Sequence, residues 1–133
     1  MPPPANRIEK FAVTVPAGTA QASPATYSLV VPDGYLQRVE VTIPDGHNGL
    51  TGLQLLAANA QLVPATFGAY LVGNDQTLAF DMVGVIDTGN FQANAYNTGV
   101  FAHTFYGLWY MLDFAYAAGT TEPTAPLVVP VVV

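Results

Sequence analysis

Two histidines, His47 and His103, are the side chains best equipped for chemistry in this chain, and their surroundings argue against it. A zinc site needs about three or four ligands drawn from His, Cys and carboxylates. His47 sits in PDGHNGLTG with only Asp45 nearby, and the chain contains no cysteine. We expect His47 to hydrogen-bond its own glycine-rich turn and His103 to be a buried or interfacial residue with a backbone partner. The serines are only Ser23 and Ser28, and neither lies in a G-x-S-x-G elbow. Asp81 and Asp113 could in principle pair as acid and base, but lone acids on separate strands more often face solvent or cap a turn. Asp33, Asp45, Asp75 and Asp87 all fall in turns, where aspartate bonds its own backbone. GNDQ and DTGN carry loop oxygens without the spaced acidic ligands of a calcium loop. The chain is therefore not expected to be an enzyme, and no catalytic residue, metal or cofactor is expected.

The elements that carry these residues read as short strands separated by turn chemistry. Phe11–Val15, Tyr27–Val31, Gln37–Ile43, Thr51–Ala57, Ala69–Val72, Gln76–Val85 and Phe91–Tyr96 are each bounded by Gly, Pro, Asn or Asp. In Gln37–Ile43, Val39, Val41 and Ile43 point one way while Arg38, Glu40 and Thr42 point the other. A helix over Leu53–Leu62 is a minority reading, because Gly52 and Pro64 flank it without a capping box.

An eighth strand, FAHTFYGLWYMLDF from Phe101 to Phe114, has six aromatics and apolar side chains on both alternating sets. The odd set includes Phe105, Trp109 and Met111; the even set includes Tyr106, Leu108 and Tyr110. A strand wetted on one face should alternate apolar with polar. Both faces of this one must be covered, by a second layer or by a neighbouring molecule. The pattern predicts an all-β chain: an antiparallel two-sheet sandwich, jelly-roll-like, with an immunoglobulin-like order as the runner-up. Strand order is not readable from periodicity.

Composition points to assembly. Charged residues are 9% of the 133 positions and hydrophobic residues 51%, against about 25% charged in ordinary soluble domains. Twelve charges are few to keep apolar surface patches apart in a free monomer. The net charge is −6 and the only basic residues are Arg7, Lys10 and Arg38, so no nucleic-acid partner is expected. No membrane partner is expected either: the stretch from Phe101 to Ala118 approaches spanning length, but it contains His103, Thr104 and Asp113 and favours strand.

Two arms flank the body in this reading. Residues 1–10 form an extended N-terminal arm opening with Pro2, Pro3 and Pro4, which cannot join a sheet interior. Residues 11–118 form the β-sandwich, and residues 119–133 a linker and docking tail. That tail ends in Leu127, Val128, Val129, Pro130, Val131, Val132 and Val133, a β-branched segment that would be an aggregation hazard if left loose. The proline triplet, the tail valines with Leu127, and Trp109 and Tyr110 are the expected subunit-interaction residues. A rival reading is a glycan- or receptor-binding module using loop residues His47, Asn48, Asn94 and Asn97, with Trp109 as a sugar platform. The parity of Trp109 with Phe105 and Met111 favours a core or interface position for it instead.

VEVTIPDGHNGLTGLQL, YLVGNDQTLAFDM and AYNTGVFAHTFYGLWYML, within residues 35–114, resemble small structural proteins of tailed bacteriophages. The resemblance implies a virion component: a capsid decoration or cement protein, a head spike or a tail accessory. It implies virion proteins as partners, either the major capsid protein or neighbouring copies. It also implies a homo-oligomer, with a trimer favoured, and localisation in the virion.

Overall fold

A computed structural model describes residues 7–87 and 90–113, with side chains described to residue 82 and again from residue 90. The eight strands are β1 (Arg7–Val15), β2 (Ala25–Val30), β3 (Gly34–Ile43), β4 (Thr51–Ala57), β5 (Ala60–Val63), β6 (Gln76–Asp87), β7 (Asn90–Asn97) and β8 (His103–Leu112). They form two antiparallel four-stranded sheets, β1-β8-β3-β6 and β2-β7-β4-β5. The first strand thus pairs with the eighth, the second with the seventh, the third with the sixth and the fourth with the fifth. This is one long antiparallel ribbon wound into two layers, the jelly-roll winding. An immunoglobulin-like order would pair β1 with β2, whereas β1 pairs with β8.

Several strand ends differ from the sequence reading by one to three residues: β2 starts at Ala25, β3 at Gly34, β6 runs to Asp87 and β8 covers His103–Leu112. Three differences are larger. β1 begins at Arg7, so residues 7–10 of the expected arm belong to the sheet, in register with Met111 to Leu108. A strand forms at Ala60–Val63, reached by a two-residue turn in which Ala58 and Asn59 both have positive φ. That is the left-handed geometry of a tight hairpin turn, reached without the usual Asn-Gly pair, which hid it. Ala69–Val72 contributes only a bridge between Leu71 and Leu53.

The core lies between the sheets. Val13 and Val15 of β1, Leu36, Val39, Val41 and Ile43 of β3, and Phe105, Trp109 and Met111 of β8 face Leu53, Leu55, Phe91, Ala93 and Ala95 of the second sheet. Phe105, Trp109 and Met111 of the odd set are therefore covered by the protein's own second layer, while Phe101 lies before β8 and is exposed. Trp109 stacks on Phe91 across the layers, with ring centroids 3.9 Å apart, and meets Phe11 at 4.9 Å. Phe11 lies opposite Gly107, and its ring occupies the place where a Cβ would stand, 2.0 Å from its nearest atom.

A glycine inside a strand ordinarily weakens it; here it makes room for a core ring. Gly107→Ala is accordingly expected to destabilise, by about 1–3 kcal/mol, because Phe11 cannot move without leaving Trp109. The urea midpoint measures this, and a stabilised variant would show that the ring relaxes freely.

Candidate interaction surfaces

Three surfaces could meet a partner: the loop end and the outer faces of the two sheets. At the loop end the β1–β2, β3–β4, β5–β6 and β7–β8 connections are tied together by backbone bonds, Gly18 to Gly99, Gly49 to Gly73 and Thr98 to Leu50. Side chains lock the same loops. The Asn74 Oδ1 accepts from the Gly46 and Asn48 amides, and its Nδ2 donates to Asp45. Asn97 donates to the carbonyls of Val15 and Phe101 and accepts from the Gly99 amide.

His47 is 1% exposed. Its Nε2 lies 3.1 Å from the Thr104 carbonyl, which can only accept, so Nε2 carries the proton and Nδ1 accepts from the Thr51 hydroxyl at 2.7 Å. His103 packs beside it at 4.7 Å and Phe105 at 4.8 Å. Burial holds the His47 pKa below the ordinary imidazole value, and the neighbouring His103 lowers it further.

These contacts correct the sequence reading of a loop binding surface. His47 and Asn97 are buried and their polar atoms are occupied within the chain. Asn94 lies within β7 rather than in a loop, and of the four only Asn48 is exposed at the loop end. The loop end also exposes the apolar side chains Leu50, Val72, Val100 and Phe101, among polar ones such as Asp45, Asp75 and Thr98. The carboxylates weighed as an acid–base pair are held apart by different arginines, Asp81 by Arg38 and Asp113 by Arg7. Among the described residues no group of three or more His, Cys, Asp or Glu could hold a metal ion, and no helix is long and apolar enough to cross a membrane.

The outer faces of the two sheets differ in kind. On the second sheet an amide ladder crosses the strands. Thr26 donates to Asn94, Asn94 to Gln54, and Gln54 to the Ala69 carbonyl. The Tyr96 ring lies over Gly52 and meets Tyr70 edge-on at 4.9 Å. The ladder joins three strands of this face, and Val30 is exposed at its β2 edge.

The first sheet presents the even set of β8. Tyr106 is 51% exposed, and Leu108 and Tyr110 are half-buried, with Ile8 and Ala12 of β1 exposed beside them. Arg38, bound to Glu40 and Asp81, lies on one flank and exposed Lys10 on the other. Lys10, Glu40, Thr42, Tyr106 and Leu108 line a shallow depression of about 250 Å³. Tyr110 stands half-buried on this outer face. Trp109 does not: it is enclosed between the sheets and reaches no partner. The remaining interaction candidates, Pro2, Pro3, Pro4, Leu127, Val128, Val129, Val131, Val132 and Val133, lie outside the described residues. Sequence reasoning missed Lys10 and Glu40, whose adjacency arises only from β1 and β3 flanking β8.

No family model matches this chain, and no curated protein is significantly similar to it.

The buried imidazole makes stability depend on pH with a definite sign. The unfolded chain binds a proton at His47 more readily than the native state does. Its contribution is complete above the ordinary value of 6.5 and is lost as pH falls through that value towards the lower native one. The urea midpoint is expected to fall between about pH 7.5 and about pH 5. His47→Phe should lose this part of the pH dependence. It should also be about 1–3 kcal/mol less stable at neutral pH, because Thr51 and the Thr104 carbonyl lose their partner. A variant retaining the full pH dependence would remove His47 as its cause.

Proposed function

We propose that this chain is a structural subunit of a virion, a capsid decoration, cement or minor capsid protein that acts by docking rather than by chemistry. The observation that carries this reading is the asymmetry of the outer faces. One face carries an amide ladder and exposes Val30 at its edge; the other sets Tyr106, Leu108 and Tyr110 side by side along a central strand, with Ile8 and Ala12 exposed next to them. An apolar row flanked by a few charges, here Lys10, Glu40, Arg38 and Asp81, suits a protein interface with an apolar centre and a polar rim. The low charge content and the resemblance of three segments to phage structural proteins support the same reading.

The mechanism is mechanical. The jelly roll supplies a rigid platform, its open face seats against the lattice protein or a neighbouring copy, and the two terminal arms add reach. Arms that dock as extended segments add main-chain hydrogen bonds at a sheet edge. Pro2, Pro3, Pro4 and Pro130 lower the entropy lost on docking by restricting the free arm beforehand. The glycan-binding reading is weaker, because it rested on Trp109 as a platform and on His47 and Asn97 as loop ligands.

Particles purified from cells producing the full-length chain are expected to contain it in a fixed ratio to their lattice protein. Tyr106→Glu, with folding confirmed by the emission of the buried Trp109, is expected to reduce incorporation at least about tenfold by charging the centre of the docking face. Removal of residues 119–133 should likewise abolish incorporation while leaving Trp109 emission unchanged. Incorporation of both variants at the wild-type level would overturn the docking mechanism.

A further inference from the structure

The open face of the first sheet is arranged in rows, because residues paired in register across antiparallel strands project to the same side. The central row is Lys10, Leu108, Glu40 and Ala79, from β1, β8, β3 and β6 in turn. The row nearer the loop end is Ala12, Tyr106, Thr42 and Thr77, and the row on the other side is Ile8, Tyr110, Arg38 and Asp81. Within the central row Lys10 and Glu40 stand one strand to either side of Leu108, about 4.8 Å each way. Arg7 and Arg38 meet carboxylates of their own chain. Exposed Lys10 meets none among the described residues.

We infer that the occupant of this face is a second copy of the same chain, related by a two-fold axis lying along β8. This deepens the docking reading and rests on it: the same face, with its partner specified. Rotation about that axis carries β8 over itself and exchanges the two sides, so that β1 of each copy faces β3 of the other. Lys10 then opposes Glu40 of the second copy, and the contact occurs twice. Ile8 lies against the stem of Arg38 and Ala12 against Thr42. Tyr106, Leu108 and Tyr110 meet their own counterparts along the axis.

Charge selects this axis. A two-fold running across the strands would set Lys10 against Lys10 and Glu40 against Glu40, and like charges directly opposed are destabilising. Two sheets with their strands about 30° apart pack well face to face, which an axis close to β8 permits. Size is the tighter constraint. About this axis β1, β8 and β3 are opposed and β6 overhangs, and three strands about 4.8 Å apart and about 34 Å long give roughly 490 Å² of flat sheet before side-chain relief. A standard stable interface needs about 800 Å² per partner, so the dimer is expected to dissociate on dilution.

Charge exchange in the full-length chain tests the geometry. Sedimentation velocity of the wild type is expected to show twice the chain mass. Lys10→Glu alone and Glu40→Lys alone should each weaken self-association at least about tenfold, by opposing like charges twice. Mixing the two variants in equal amounts should restore a mixed dimer, because every opposed pair is then of opposite sign. A chain that stays monomeric at all concentrations, a trimer, or a mixture that associates no better than its components would overturn the two-fold.

Should either charge variant fail to keep the emission of the buried Trp109, the absence of native cysteine provides a second route. Tyr106→Cys, on the axis, should cross-link to its counterpart with a short bis-maleimide. Thr77→Cys, on edge strand β6, should not. Equal cross-linking at both positions, or none at position 106, also overturns the proposal. A monomer that is still found in particles removes only the two-fold and leaves the face to a lattice protein. A dimer absent from particles keeps the two-fold and removes the virion role.

Discussion

The contact between Trp109 and Phe91 joins the two layers of this molecule, and most other features follow from it. Trp109 belongs to the central aromatic strand of one sheet and Phe91 to the other. Their near-parallel stack sets the distance between the layers at that point. Phe11 closes the stack from the side, which it can do only because residue 107 has no side chain. Three such rings bury about 450–750 Å² together, so the gain is on the order of 10 kcal/mol. Against this stands the Trp109 indole nitrogen, buried without a hydrogen-bond partner, at a cost of about 1–3 kcal/mol. The hydrophobic gain decides, and the unpartnered nitrogen is tolerated as the consequence of a deeply enclosed ring.

The same enclosure separates the two sets of side chains on β8. One set is spent on the core; the other, Tyr106, Leu108 and Tyr110, is left on the outside. The polar residues that looked available at the loop end are likewise committed. His47, Asn74 and Asn97 each use both donor and acceptor capacity within the chain, and each reaches at least one group far away in sequence, at Thr104, at Asp45 and Gly46, and at Val15. The polar side chains of the loop end are thus used within the chain, while the outer set of β8 is left beside the charged groups Lys10, Glu40 and Arg38.

Much of this was legible in the residues themselves. The alternation of Val39, Val41 and Ile43 marks β3, and the turn residues mark most strand ends. The doubled apolar pattern around Trp109 shows that both faces of β8 need cover, and the parity of Trp109 with Phe105 and Met111 places it on the core side. Pairing order was not legible, because the partners of β1, β2 and β3 lie far along the chain and no local pattern encodes them. Hairpin β4–β5 was missed because its turn uses Ala58 and Asn59 in left-handed conformations without a glycine. The burial of His47 and Asn97 was invisible for a similar reason: each is satisfied by a carbonyl far away in sequence, at Thr104 and at Val15. A histidine between turn residues looks exposed until that carbonyl is found.

The pairing of β1 with β8 places Arg7 opposite Met111, so the described chain enters and leaves the sheet side by side. Tension applied between those two points would not shear the sheet; it would unzip β1 from its edge, one residue pair at a time. The first four pairs, from Arg7 to Lys10, carry no core side chain on the β1 side. The fifth is Phe11 against Gly107, where peeling first reaches the aromatic stack. A load carried through the two ends would therefore meet little resistance until that ring. A load spread across the open face would be shared by every strand of the sheet at once.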